Sequence, residues 1–289
     1  MIAKVSLTMP AITASYARLS EIHPGLRITA APPRSGTGWT TTQELTRGGR
    51  ALEAFVARDT SQVTSDHGRP PRPDVAATLA LHRYLWPACL LFTVPWFLHR
   101  RVPRLRVADV SFHRATGRMT VRARSFSCLP DDPAARLPGA RTVASQAALR
   151  DELRAAVAEH AAPVLEGFRP LVRRGRRALW GMVTDEITEG LWYVGRLLGQ
   201  EERAVSELAA LLPGGTEPYA GGADFRPATQ IDGAYDGTCD GSSGDAVSGG
   251  SSRKRLTCCL FYTISPTNTC ATCPRTCGAA RITCRASVA

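Results

Sequence analysis

Apolar residues dominate from Asp74 to about Arg101, with Val75, Leu79, Leu81, Leu85, Leu90 and Leu91 at helical intervals. The densest run, Leu85–Leu98, is 14 residues long and holds Pro87 and Pro95 between His82-Arg83 and His99-Arg100-Arg101. That run is too short to cross a bilayer, so it predicts a buried helix that the prolines kink or split. Alternation in Met119–Arg124 predicts a strand with Arg122 and Arg124 on one face. Its hairpin partner is expected over Leu105–His113, across a turn at Ala115–Arg118, and its pattern slips at Ala108-Asp109. From Ser145 to Leu212 apolar stripes recur at helical spacing, with interruptions expected at Pro163 and Pro170 and loosening at Gly175. Shorter helices are expected over Thr8–Glu21 and Thr42–Thr60. The fold class is therefore α+β: a mostly helical domain with a small antiparallel sheet. Residues 1–212 form this domain, the Gly/Ser/Asp-rich residues 213–252 read as a solvated linker, and residues 253–289 as a cysteine-rich C-terminal segment expected to fold back against the domain.

Composition changes this picture little. At 44% hydrophobic the 289-residue chain can build a sizeable core. The net charge of +11 rests on 34 Arg against two Lys, spread along the chain, a skew of codon usage rather than a phosphate-binding surface. Helix-turn-helix and zinc-finger spacings and aromatic-basic alternation are missing, so no nucleic-acid partner is expected. Residues 253–289 nevertheless carry six basic groups and no acidic one. The N-terminus, with Lys4 and a short stretch broken at Pro10, does not read as a secretory peptide, so a cytoplasmic location is expected.

Six of the nine cysteines fall in the last 32 residues. Cys258-Cys259, ten residues, then Cys270-x-x-Cys273-Pro274 places four thiolates within 16 residues, enough for one tetra-thiolate site. In a reducing compartment such a cluster of cysteines favours metal over disulfides. A vicinal pair is not the usual Cys-x(2–4)-Cys arm of structural zinc, and no histidine follows His160. Ligand chemistry thus favours an all-thiolate 2Fe–2S cluster over zinc, with a structural zinc site on the same four cysteines as the alternative.

The pattern Cys-Cys-x10-Cys-x2-Cys-Pro, with Arg ahead of it and Leu-Phe-Tyr after the pair, resembles the FhuF-type ferric-siderophore reductases. The likeness extends loosely upstream, through Leu79–Leu98 with Tyr84 and Pro87 to Leu179-Trp180-Gly181. It implies that Cys258, Cys259, Cys270 and Cys273 hold the 2Fe–2S cluster. Cys277 and Cys284 lie beyond the pattern, Cys239 falls in a linker that looks longer than the family needs, and Cys277 has a spacing that lets it compete as a ligand.

The resemblance implies a ferric-siderophore reductase that passes one electron outer-sphere to chelated Fe(III), releasing Fe(II) in the cytosol. It requires no catalytic residues beyond the cluster. No Gly-x-Gly-x-x-Gly fingerprint follows a predicted strand, so electrons are expected from a separate ferredoxin or flavin reductase. Peripheral contact with the membrane uptake machinery is a further expectation. A zinc scaffold, or a siderophore-binding or electron-carrier protein without turnover, are the competing functions. Arg253, Lys254, Arg255 and Arg275 are expected to favour the reduced cluster. Trp86, Trp96, Trp180 and Trp192 read as core; Arg122 and Arg124 as a solvated face; His82 and His99 as cap or surface groups. Cys89 and Cys128 read as small buried apolar residues. Asp151-Glu152 and Asp185-Glu186 read as ordinary charged positions on helices.

Overall fold

The computed structural model describes residues 10–227 and 251–265. In chain order its elements are α1 (Pro10–Ile22), β1 (Arg27–Ala30), β2 (Trp39–Thr41), α2 (Thr42–Arg47), α3 (Gly49–His67) and α4 (Pro73–His99). Then come β3 (Val102–Arg104), β4 (Val110–His113), β5 (Arg118–Val121), β6 (Ser125–Cys128), β7 (Ala140–Thr142), α5 (Gln146–Phe168), α6 (Arg176–Leu197) and α7 (Glu201–Leu211). A last pair of two-residue strands, β8 (Arg226–Pro227) and β9 (Ser251–Ser252), runs antiparallel.

The α+β class holds, but the sheets are mixed. One has the order β1-β5-β4-β2 with β1 parallel to β5; the other is β3-β6-β7 with β6 parallel to β7. The predicted hairpin is β4–β5, and the slip at Ala108-Asp109 is a 3-10 turn over Val107–Asp109. The strand ends at Val121 rather than Arg124. Arg122 and Arg124 stay partly solvated, as expected, but with Arg106 they also converge on the buried Asp109 carboxylate. Other arginines are taken up similarly, Arg83 and Arg114 by buried Asp59, and Arg101 by Asp132.

Helix α4 forms the centre, packed by α1, α3, α5 and α6. The prolines do not split it: the helix continues through Pro87 and Pro95. Proline at 95 leaves the Leu91 carbonyl without its helical donor. The Tyr16 hydroxyl of α1 donates to that carbonyl at 3.0 Å, so a tertiary contact replaces the lost bond. Helix α5 likewise passes through Pro163. As formed, α4 is long and apolar enough to cross a membrane, but 83% of its most apolar window is buried inside the protein. Trp96, Trp180 and Trp192 are core residues as expected, with Trp86 half-buried beside them; Cys89 and Cys128 are buried.

Under this core, Tyr84, Thr42 and His160 form a buried polar chain. The Tyr84 hydroxyl lies 2.6 Å from Thr42 Oγ1 and 2.8 Å from His160 Nε2, and His160 Nδ1 lies 3.0 Å from the Leu105 carbonyl. Burial pushes the His160 pKa down to about 4, so the imidazole is neutral, with Nδ1 donating to Leu105.

Residues 213–227, expected to begin a solvated linker, start against the core instead. Tyr219 and Ala223 are buried, and the Tyr219 hydroxyl donates to the Arg154 carbonyl at 2.6 Å.

Candidate iron–sulfur arm

Residues 251–265 lie as an arm against the helical body. Its lead-in, Arg253-Lys-Arg255, alternates: Arg253 and Arg255 turn inward at 6% and 7% exposure while Lys254 faces out. Helix α6 meets them with Asp185, Glu186 and Glu189, the first two fully buried. Arg253 Nη2 donates to Asp185 Oδ1 at 2.9 Å; Arg255 donates to Glu186 Oε1 at 2.5 Å and Glu189 Oε2 at 2.8 Å. His82 of α4 joins through Nδ1, 2.7 Å from Glu186 Oε1. The network therefore ties the arm to two helices.

Asp185 also holds the arm's backbone. Its Oδ1 accepts the Leu256 N–H at 2.8 Å, and its Oδ2 accepts the Thr257 N–H at 2.9 Å and the Thr257 hydroxyl at 2.7 Å. Helix α6 presents Gly181 one turn earlier, where a Cβ would come within 2.8 Å of Thr257 Cγ2. Glycine is needed there for the close approach.

Immediately beyond are Cys258 and Cys259, both half-buried. The Leu260 N–H donates to Cys258 Sγ at 3.4 Å, and Leu260 takes a left-handed conformation with φ of 65° that turns the chain back. Arg174, in the turn before α6, donates to the Cys258 carbonyl. Past the turn, Ile264 packs with Val63, Val75 and Leu79, and Leu260 and Phe261 pack against the same group. Arg69 donates to the Ile264 carbonyl at 2.9 Å. The cysteine pair is thus pinned on both sides, by charge before it and by apolar contact after it.

The electrostatics follow from burial. Dehydration alone would raise Glu186, but Arg255 and His82 outweigh it and hold its carboxyl below the usual range. Dehydration likewise pulls Arg255 down, yet Glu186, Glu189 and Asp185 hold its pKa well above that of a solvated guanidinium. For Glu189 burial wins, and its pKa is raised despite both arginines. Burial also lowers Arg174, against the opposing pull of Cys258 and Cys259.

Two expectations change. Asp185 and Glu186 are not ordinary charged positions but buried anchors; His82, still partly exposed at 32%, is in addition Glu186's partner. Arg253 and Arg255 do not stand as cations around a cluster, because their charge is matched by three carboxylates. Arg174, which the sequence did not single out, donates to the backbone carbonyl of Cys258, and its buried Nε has no hydrogen-bond partner among the described residues. The hint in the sequence was Glu186 within an apolar stripe, where a carboxylate needs a buried cation.

A vicinal, half-buried cysteine pair with an N–H donated to one sulfur and a guanidinium alongside suits thiolates bound to iron, since both features favour the anionic sulfur. Among the described residues, no three His, Cys, Asp or Glu side chains gather as a metal site. The arm supplies two cysteines; Cys270, Cys273, Cys277, Cys284, Cys239 and Arg275 lie outside the described residues.

Comparison with known proteins bears on this segment. Residues 255–275 match the family described as the FhuF 2Fe-2S C-terminal domain, a span that takes in Cys258, Cys259, Cys270 and Cys273. No curated protein matches the chain.

Proposed function

From the FhuF 2Fe-2S C-terminal domain that this chain carries, and hence its 2Fe–2S cofactor, we propose that the protein is a ferric-siderophore reductase. The observation that carries this is the match over 255–275, whose described part, residues 255–265, lies on an arm that the body grips from both sides of Cys258-Cys259. Cys258, Cys259, Cys270 and Cys273 are the four ligands. The cluster supplies a one-electron couple. The substrate is Fe(III) held by hard oxygen donors; one electron converts it to Fe(II), whose lower charge weakens the chelate.

The chain's own part is placement and field. Asp185 and the apolar group around Ile264 fix the cysteine pair on the body. Arg174 places positive charge beside it, which favours the extra negative charge of the reduced state. No proton transfer is required, so the buried carboxylates serve as anchors. The electron comes from a separate donor such as a ferredoxin or flavin reductase, and the reaction belongs in the cytosol.

Anaerobic reconstitution with iron and sulfide should give a red-brown protein with charge-transfer bands in the visible. Reduced and mixed with a ferric hydroxamate and a ferrous trap, it should release Fe(II), and Cys259→Ser should lose both colour and release. A colourless, zinc-loaded protein, or a coloured one that releases no Fe(II) from hydroxamate, catecholate or citrate-type chelates, would end this proposal.

A further inference from the structure

We propose that Asp185 is a positioning residue that assembles the first half of the cluster site before any iron arrives. The inference rests on the assignment of Cys258 and Cys259 as ligands. What points to it is the use made of one carboxylate. Asp185 is fully buried, and its two oxygens accept four donors from the arm: a guanidinium N–H of Arg253, the backbone N–H groups of Leu256 and Thr257, and the Thr257 hydroxyl. The Leu256 and Thr257 amides are those of the two residues that precede Cys258, so they fix the direction in which the chain enters the pair. Among the described residues, no other carboxylate takes two backbone amides from the arm.

A salt bridge to Arg253 alone would anchor the arm without defining its backbone. Two amides and a hydroxyl on one rigid carboxylate do define it, and Gly181 admits Thr257 to the distance at which they form. On the far side, Leu260 turns back under its own N–H bond to Cys258 Sγ, and Ile264 holds the return. The pair is therefore presented on a preformed segment, and ligand orientation is set through hydrogen bonds one residue removed from the ligands. Outer residues of this kind typically change metal retention by roughly 10–100-fold.

The test compares the reconstituted full chain with Asp185→Asn and Gly181→Ala. Asparagine keeps the shape but replaces one acceptor oxygen with a donor, facing the Thr257 amide and hydroxyl. Alanine at 181 improves helix propensity, so it spares α6 while pushing Thr257 away. Both variants are expected to lose the cluster to a chelator about 10–100-fold faster than wild type. Both should show a shifted or broadened electron paramagnetic resonance signal when reduced, with Asp185→Glu failing to restore it. In the iron-free protein, Cys258 and Cys259 should alkylate faster in both variants, as read by mass spectrometry of the peptide. Wild-type cluster lifetime, spectrum and alkylation in Gly181→Ala would overturn the proposal even if Asp185→Asn fails to fold. Cys259→Ser separates the two failures: if it keeps a wild-type cluster the ligand assignment falls and this proposal with it, whereas its loss of cluster beside wild-type behaviour in Asp185→Asn and Gly181→Ala overturns the positioning role alone.

Discussion

Arg255→Met should detach the arm from the body. Methionine retains much of the apolar stem but removes a guanidinium that serves Glu186 at 2.5 Å, Glu189 at 2.8 Å and Asp185 at 3.7 Å. The buried Asp185 and Glu186 and the largely covered Glu189 are then left with Arg253 and His82. Removing one partner from a buried ion pair typically costs about 3–5 kcal/mol, because the remaining charge stays dehydrated. The arm can relieve that cost by undocking, which hydrates the acids while α6 stays folded. The undocked population should therefore rise roughly a hundred- to a few thousand-fold. The chain has only two lysines, Lys4 and Lys254, and the second sits between the two buried arginines. A lysine-specific protease thus reports arm opening directly, through release of the fragment 255–289, at a rate that follows the open population. Adding Glu186→Gln and Glu189→Gln to Arg255→Met removes the stranded charges and should recover much of the protection. Equal cleavage of wild type and Arg255→Met, or no recovery in the triple variant, would refute the account based on dehydrated charge.

Arg174→Gln should lower the cluster's midpoint potential, on the order of 60 mV for each tenfold loss of preference for the reduced form; a redox titration followed by electron paramagnetic resonance checks it, and an unchanged midpoint argues against Arg174 as the tuning cation. His160 stays neutral in the fold down to about pH 4, whereas an unfolded histidine takes up a proton near 6.5. Its contribution is therefore complete above pH 6.5 and is lost as pH falls to about 4, a change of about 3 kcal/mol at ~1.4 kcal/mol per unit. Urea unfolding across that range should show a shallower loss in His160→Asn than in wild type. Tyr16→Phe leaves the Leu91 carbonyl without a donor and should cost about 1–3 kcal/mol in thermal or urea unfolding, against a near-neutral result if water reaches the site.

Periodicity made the helical body, the β4–β5 hairpin and the apolar α4 legible, because these follow from which residues face inward at local spacing. That Pro95 would not split α4 was not legible, since the cost of a proline depends on whether something else meets the orphaned carbonyl, and Tyr16 stands 75 residues from Leu91. The cysteine motif was legible as chemistry, with two of its four members in the described arm. Its anchors were not: Asp185 and Arg253 are 68 residues apart, and a charged pair on a helix reads as solvent-facing until its cations are found. The same holds for Arg122 and Arg124, whose strand alternation hid their shared partner at Asp109.

The short pairing of β8 with β9 has a mechanical consequence. Arg226 lies opposite Ser252 and Pro227 opposite Ser251, so the chain leaves the body and rejoins it at neighbouring points. The docked position of the arm is then set by its contacts with the body and by this pairing, not by the number of acidic and glycine-rich residues between the two strands. A chain trimmed between 228 and 250 should accordingly dock its arm much as the full one does, and length there is open to drift without disturbing the cysteines that follow.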